Sequence, residues 1–132
     1  MSKPVFTLRV DKQVIIAKKI MDWGKIRHVP VVDRDERLVG MVTQRDLLRF
    51  SISAIDEGTT EVERKQDLWT IPIQRVMRRD VRTIGPDDTV QEAARLMRHH
   101  KIGCLPVVDG DVLVGIVSEH DLLGIVERVG HP

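Results

Sequence analysis

A single cysteine, Cys104, stands among the 132 residues. No intrachain disulfide can therefore form, and a cysteine-built zinc site has too few ligands. No apolar run approaches the roughly 18 residues that a membrane-spanning helix needs, and the N-terminus lacks a charged-then-apolar signal segment. These absences predict a cytoplasmic protein with no membrane partner. Charge of one sign is not in excess either: 21 Lys and Arg face 20 Asp and Glu. A global basic field for nucleic acid is thus missing, and only a local patch around Arg27, Arg45, Arg78 and Arg79 could serve that role. Catalytic constellations are absent as well. There is no nucleophile elbow, Walker loop, His-Glu-x-x-His or paired-acid arrangement, and the glycines form no phosphate-cradling loop. An enzyme is not expected. His99-His100 beside Cys104 offers metal-ligand types, but neighbouring helical residues point about 100° apart, so no metal site is expected there.

What the chain does contain is itself, twice. Lys25-Ile26-Arg27-His28-Val29-Pro30-Val31-Val32-Asp33 recurs as Lys101-Ile102-Gly103-Cys104-Leu105-Pro106-Val107-Val108-Asp109. Leu38-Val39-Gly40-Met41-Val42 followed by Thr43-Gln44-Arg45-Asp46 recurs as Leu113-Val114-Gly115-Ile116-Val117 followed by Ser118-Glu119-His120-Asp121. The two prolines are 76 positions apart and the two aspartates 75, so one residue differs in the intervening turn. Upstream, Val14, Ala17 and Met21 lie on one helical face, and Val90, Ala93 and Met97 repeat them 76 positions later. The duplicated unit thus covers about 50 residues. A chain this short makes one compact domain, or two half-size units that share a core.

Each copy reads as strand, helix, strand, strand, helix. The first strands are Val5–Val10 and Val81–Ile84. A helix follows each, then a β-hairpin, then a closing helix with Leu47, Leu48, Ile52 and Ile55 apolar in the first copy and Leu122, Leu123, Val126 and Val129 in the second. The predicted division is repeat 1 over 1–56, a polar linker over 57–71, and repeat 2 over 72–132, opening with a short helix at Pro72. The fold class is α/β (α+β): two repeats, each a small mixed sheet with helices packed on one face, paired about a pseudo-twofold axis.

With Leu/Val-Pro-Val-Val-Asp, apolar-Gly-apolar-Val and Thr/Ser-x-x-Asp present in both copies, the sequence resembles the CBS domain, found in tandem pairs called Bateman modules. The resemblance implies a module that binds adenosine-containing nucleotides, AMP, ADP or ATP, in clefts between the halves and signals occupancy to a regulated partner protein. S-adenosylmethionine and NAD share the adenosine end and are not distinguished. The two copies use essentially the whole chain, so a stand-alone regulator is expected.

Asp46 and Asp121 are the sharpest site candidates. The resemblance makes them ribose-hydroxyl acceptors, with Thr43 and Ser118 beside them; their spacing alone equally describes a capping box that serves only its own helix. Arg27 and His28, preceding the first Pro strand, suit a phosphate, with Arg45 and His120 as further donors. Val29, Pro30, Leu105, Pro106 and Thr83 complete the expected ligand-binding set. Arg27-His28 is answered by Gly103-Cys104 in the second copy, which predicts two sites of unequal affinity. Cys104 is expected to pack as a small hydrophobe. A homodimer is expected through Ile52, Ile55, Leu96, Val126 and Val129. The alternatives are a scaffold whose clefts are degenerate and a nucleic-acid-binding regulator.

Overall fold

A computed structural model of the chain describes residues 6–56 and 69–129, with side chains placed outside 53–56 and 129. They divide into two compact units, Phe6–Val81 and the residues from Arg82 onward. Most of the linker, Val5 of the first predicted strand, and the side chains of Ile55 and Val129 lie outside the described residues.

In the first unit the chain runs β1 (Leu8–Arg9), α1 (Val14–Gly24), β2 (His28–Val32), β3 (Leu38–Thr43) and α2 (Gln44–Asp56), and after the undescribed stretch a 3-10 turn at Ile73–Arg75. The sheet order is β1-β2-β3. β1 runs parallel to β2 with Leu8 opposite Val31, while β2 and β3 form an antiparallel hairpin with Val29 opposite Val42 and a bulge at Val31/Val32. The sheet is therefore mixed, as predicted. Val14, Ala17 and Met21 are all buried, so the helical period placed α1 on its core face correctly. α1 has no side-chain N-cap; its first amide, at Val14, donates instead to the Ile71 carbonyl at 2.9 Å. The helix ends at Lys25 in the left-handed region, φ 53°.

Residues 69–81 belong physically to this first unit. The Ile73 amide donates to the Lys12 carbonyl at 2.9 Å, and Ile73 and Met77 sit in the core with Val14, Ala17 and Val42. Burying one such side chain contributes about 1.5–3 kcal/mol, which adds to the backbone bonds that hold the segment. Arg78 then pairs with Met41 of β3, its N–H donating to the Met41 carbonyl at 2.8 Å and its carbonyl accepting from the Met41 N–H at 2.9 Å. Gly40 permits this approach: a Cβ there would lie 2.6 Å from Met77 Sδ and 2.9 Å from the Arg78 carbonyl oxygen.

The second unit holds α3 (Val90–His100), β4 (Cys104–Asp109), β5 (Val112–Ser118) and α4 (Glu119–Val129). β4 and β5 form an antiparallel hairpin whose register matches the first: Leu105 opposite Val117, with a bulge at Val107/Val108. α3 is capped by Thr89, whose Oγ1 accepts the Glu92 amide at 3.1 Å, and it ends at Lys101 with φ 55°, as α1 ends at Lys25. Ile84, Ala93, Met97, Leu105 and Val107 form the core.

One predicted element is corrected. Val81–Ile84 is not a strand, because only Ile84 pairs, in a single parallel bridge to Val107. The Ile84 amide reaches the Pro106 carbonyl at 3.1 Å and its carbonyl takes the Val108 amide at 2.8 Å. Upstream, the Val81 amide turns back to the Arg79 carbonyl at 3.1 Å. Downstream, Pro86 has no N–H to offer a ladder. The extended stretch is too short for more.

Candidate functional site

The site candidates fall where a β-strand runs without a break into a helix. At the end of β3 the Thr43 amide donates to Asp46 Oδ2 at 3.0 Å, and the Asp46 amide donates to Thr43 Oγ1 at 3.1 Å. At the end of β5 the same reciprocal pair joins the Ser118 amide to Asp121 Oδ2 at 3.0 Å and the Asp121 amide to Ser118 Oγ at 3.2 Å. The first amide of each closing helix is held identically, Gln44 by the Arg27 carbonyl at 2.9 Å and Glu119 by the Gly103 carbonyl at 3.0 Å. Two orphan amides per helix are thereby satisfied. The capping role is realised in both copies, and each carboxylate is held at a helix N-terminus, where negative charge is favoured.

The two carboxylates differ in surroundings. Asp46 is only 8% exposed, and its second oxygen, Oδ1, accepts Arg78 Nε at 3.0 Å. Arg78 had pointed, from its sequence, to nucleic-acid phosphates; the structure puts its guanidinium on Asp46. Asp121 lines a cavity of about 110 Å³ together with Ile84, Gly85, Pro86, Asp88, Thr89, Val90, Ala93, Val117, Leu122 and Ile125. That volume is below the several hundred cubic ångströms of a drug-sized ligand site, and the lining is mainly apolar. Asp88 turns inward on its own loop, its Oδ2 accepting the Gly85 amide at 2.6 Å. Of the predicted ligand set only Asp121 reaches this cavity. Much of its remaining wall comes from the Ile84–Val90 approach to α3, which has no sequence signature beyond a Pro-Asp breaker, and the rest from Ala93, Val117, Leu122 and Ile125.

The remaining predicted residues scatter. Arg27, Arg45, Thr83 and His120 are exposed, and Thr83 lies outside the cavity although Ile84 next to it lines the wall. His28 is half-buried as the first residue of β2, opposite Thr43. Val29 and Leu105 have no exposed surface, and Pro30 and Pro106 are likewise fully buried. Their side chains are committed to the cores, which leaves them only backbone atoms for a ligand. The Pro106 carbonyl already accepts the Ile84 amide.

Cys104 is buried, and its thiol is pushed up from 9.0 to about 12, first by desolvation and then by the charge of Asp121. It is an inert core group. The His99 and His100 rings stand edge to face with centroids 4.8 Å apart. His100 is shifted down by desolvation and by the charges of Arg82 and His99. Among the described residues no three His, Cys, Asp or Glu side chains gather as a metal site.

The CBS-domain family model matches residues 1–53 and 73–128, so both copies are recognised. The chain belongs to the CBS-domain family. It is 35% identical to a CBS domain-containing protein of Dictyostelium discoideum over 133 aligned residues, covering 100% of this chain and 91% of that protein. Among solved structures, a Vibrio cholerae protein named for acetoin utilization (AcuB) superposes with a TM-score of 0.84 at 37% identity, covering 98% of this chain and 89% of that one. The CBS domain pair of protein MJ0100, in complex with 5′-methylthioadenosine and S-adenosyl-L-methionine, superposes with a TM-score of 0.78 at 28% identity over 98% and 93% of the two chains. The match to an inosine-5′-monophosphate dehydrogenase of Halalkalibacterium halodurans, at 34% identity, spans 92% of this chain but only 22% of the enzyme.

Within this CBS pair the copies are chemically unequal at two matched positions. Arg27 and Gln44 of the first copy correspond to Gly103 and Glu119 of the second. A Cβ on Gly103 would lie 3.4 Å from the Glu119 carboxyl carbon, so Glu119 covers the spot where Arg27 carries its side chain. No helix among the described residues is long and apolar enough to cross a membrane.

Proposed function

We propose that this CBS pair is a regulatory module that binds an adenosine-containing ligand at its strand–helix junctions, with Asp46 and Asp121 accepting ribose hydroxyls, and passes occupancy to a separate protein. The observation that carries the reading is the identical geometry of the two Thr/Ser-x-x-Asp junctions. Each holds a carboxylate in one fixed orientation at the start of a helix. A vicinal diol presents two donors at the spacing of the two oxygens of such a carboxylate. The adenosine derivatives bound by the related MJ0100 pair support the ligand class.

The unequal copies support a finer statement. Arg27, with Arg45 nearby, favours a phosphate at the first junction, so AMP, ADP or ATP binds there more tightly than adenosine. Glu119 disfavours a phosphate at the second, which suits an uncharged adenosine end or a cationic one such as S-adenosylmethionine. The single thiol, and described residues that contain no helix long and apolar enough to cross a membrane, fit a cytoplasmic setting. The enzymes that match do so over a fraction of their length, which fits a regulatory role rather than catalysis.

A second copy of this chain is the proposed structural partner. Leu48 and Ile52 on α2 are 60% and 52% exposed, and Leu123 and Val126 on α4 are 67% and 64% exposed. Such apolar helix surface is costly to leave in water. Leu96, by contrast, packs against the second core and is withdrawn from that surface.

A ligand screen by thermal shift tests the reading. A ligand at about one hundred times its dissociation constant should add about 2.7 kcal/mol of stability. Flat melting curves across adenosine, AMP, ADP, ATP, S-adenosylmethionine and NAD would favour a scaffold with degenerate clefts.

A further inference from the structure

We infer that Arg78 occupies the ribose seat of the first copy and that a ligand must displace it. The inference rests on the proposed role of Asp46 as the ribose acceptor. Asp46 is nearly closed off from solvent, and both of its oxygens are in use: Oδ2 by the Thr43 amide, Oδ1 by Arg78 Nε at 3.0 Å. The first contact belongs to the helix cap. The second comes from a residue 32 positions away, whose side chain is 53% exposed and which can therefore leave for water at small cost. A diol arriving at Asp46 needs acceptor capacity on both oxygens. Of these two partners, the guanidinium is the one that can yield while the cap of α2 stays in place.

The contact is also placed to report the exchange. Arg78 is fastened to β3 by two backbone hydrogen bonds with Met41, at 2.8 and 2.9 Å, and Met77 beside it fills the space over Gly40. Arg78 ends the segment that carries the chain from the first copy toward Arg82, where the second unit starts. Release of its side chain frees the tie of that segment to α2 while the two bonds to β3 remain, and ligand occupancy at Asp46 is thereby written into the connection between the copies.

The experiment is an NMR titration of the full chain with adenosine, a ligand without charge. The Thr43 and Asp46 amides report the first copy, and the Arg78 Nε–H reports the ion pair. Adenosine should move the Thr43 and Asp46 amides and shift the Arg78 Nε–H together with them, toward fast exchange with water. In Arg78→Met the midpoint at those amides should fall by about two- to fivefold, the range of a half-exposed ion pair. Arg78→Gln, which keeps a donor but no charge, should fall between. Wild-type affinity for adenosine should also rise with added salt, which screens the ion pair, and the rise should vanish in Arg78→Met. Equal midpoints in all three proteins, with the wild-type Nε–H unmoved while the Thr43 and Asp46 amides saturate, would overturn the inference and leave the ribose reading intact. Thr43 and Asp46 amides that never respond to adenosine would overturn the ribose reading and the inference with it.

Discussion

Thr43 and Asp46 hold each other across the junction of β3 and α2, each donating its amide to the side-chain oxygen of the other, at 3.0 and 3.1 Å. Ser118 and Asp121 do the same at the start of α4. Thr43→Val and Ser118→Ala should each lower unfolding stability by about 1 kcal/mol, the usual loss on removing a helix-capping hydroxyl. Urea denaturation of the two variants checks this. A loss below a few tenths of a kcal/mol would mean that the caps hold little.

Two glycines separate close approach from mere flexibility. Gly40→Ala pushes a methyl group into Met77 and the Arg78 carbonyl and should cost about 1–3 kcal/mol. Gly124→Ala, within α4 and with nothing inside 4 Å of the added carbon, should be neutral or stabilise by up to about 1 kcal/mol through the better helix propensity of alanine. The melting temperature should fall in Gly40→Ala and stay level or rise in Gly124→Ala.

Cys104 sets an alkaline limit. Its thiol is raised from 9.0 to about 12 in the folded chain, so the unfolded chain loses this proton first and stability falls as pH rises between those values. The full contribution is present below pH 9. Above it the slope attributable to this residue should be at most about 1.4 kcal/mol per pH unit and should disappear in Cys104→Ala. A thiol reagent at pH 8 should label the wild type only as fast as it unfolds.

Exposed Leu48 and Ile52 of α2, and Leu123 and Val126 of α4, carry the dimer proposal. Sedimentation of the wild type at tens of micromolar should give a dimer, and the Ile52→Glu, Val126→Glu double variant a folded monomer. A wild-type monomer would count against a second copy as the occupant of that surface.

Much of the fold was legible because the duplication let each copy check the other. Val14, Ala17 and Met21 were placed on the core by their spacing, and Val90, Ala93 and Met97 repeated it, with only Val90, at the first turn of α3, left exposed. Both caps followed from Thr/Ser-x-x-Asp. The missed features depend on partners distant in sequence. Ile73 and Met77 lie in the stretch that matches the family as the second copy, yet their side chains pack in the core of the first unit, a contact with no signal in the sequence. Val81–Ile84 has the composition of a strand, but whether a strand forms depends on how much of the β4 edge it can reach. Arg78 lies in the charged run Arg78-Arg79-Asp80, where spacing to Asp46 carries no signal.

The most direct test of the account is calorimetry with adenosine and AMP on the wild type, Arg27→Ala and the Asp46→Asn, Asp121→Asn double variant. The double variant should weaken both ligands by similar factors, because both carry the same ribose. Arg27→Ala should weaken AMP by roughly ten- to a hundredfold, the scale of a charged hydrogen bond, and leave adenosine nearly unchanged. Wild-type affinity for both ligands in the double variant would contradict the account and return the two carboxylates to helix capping alone.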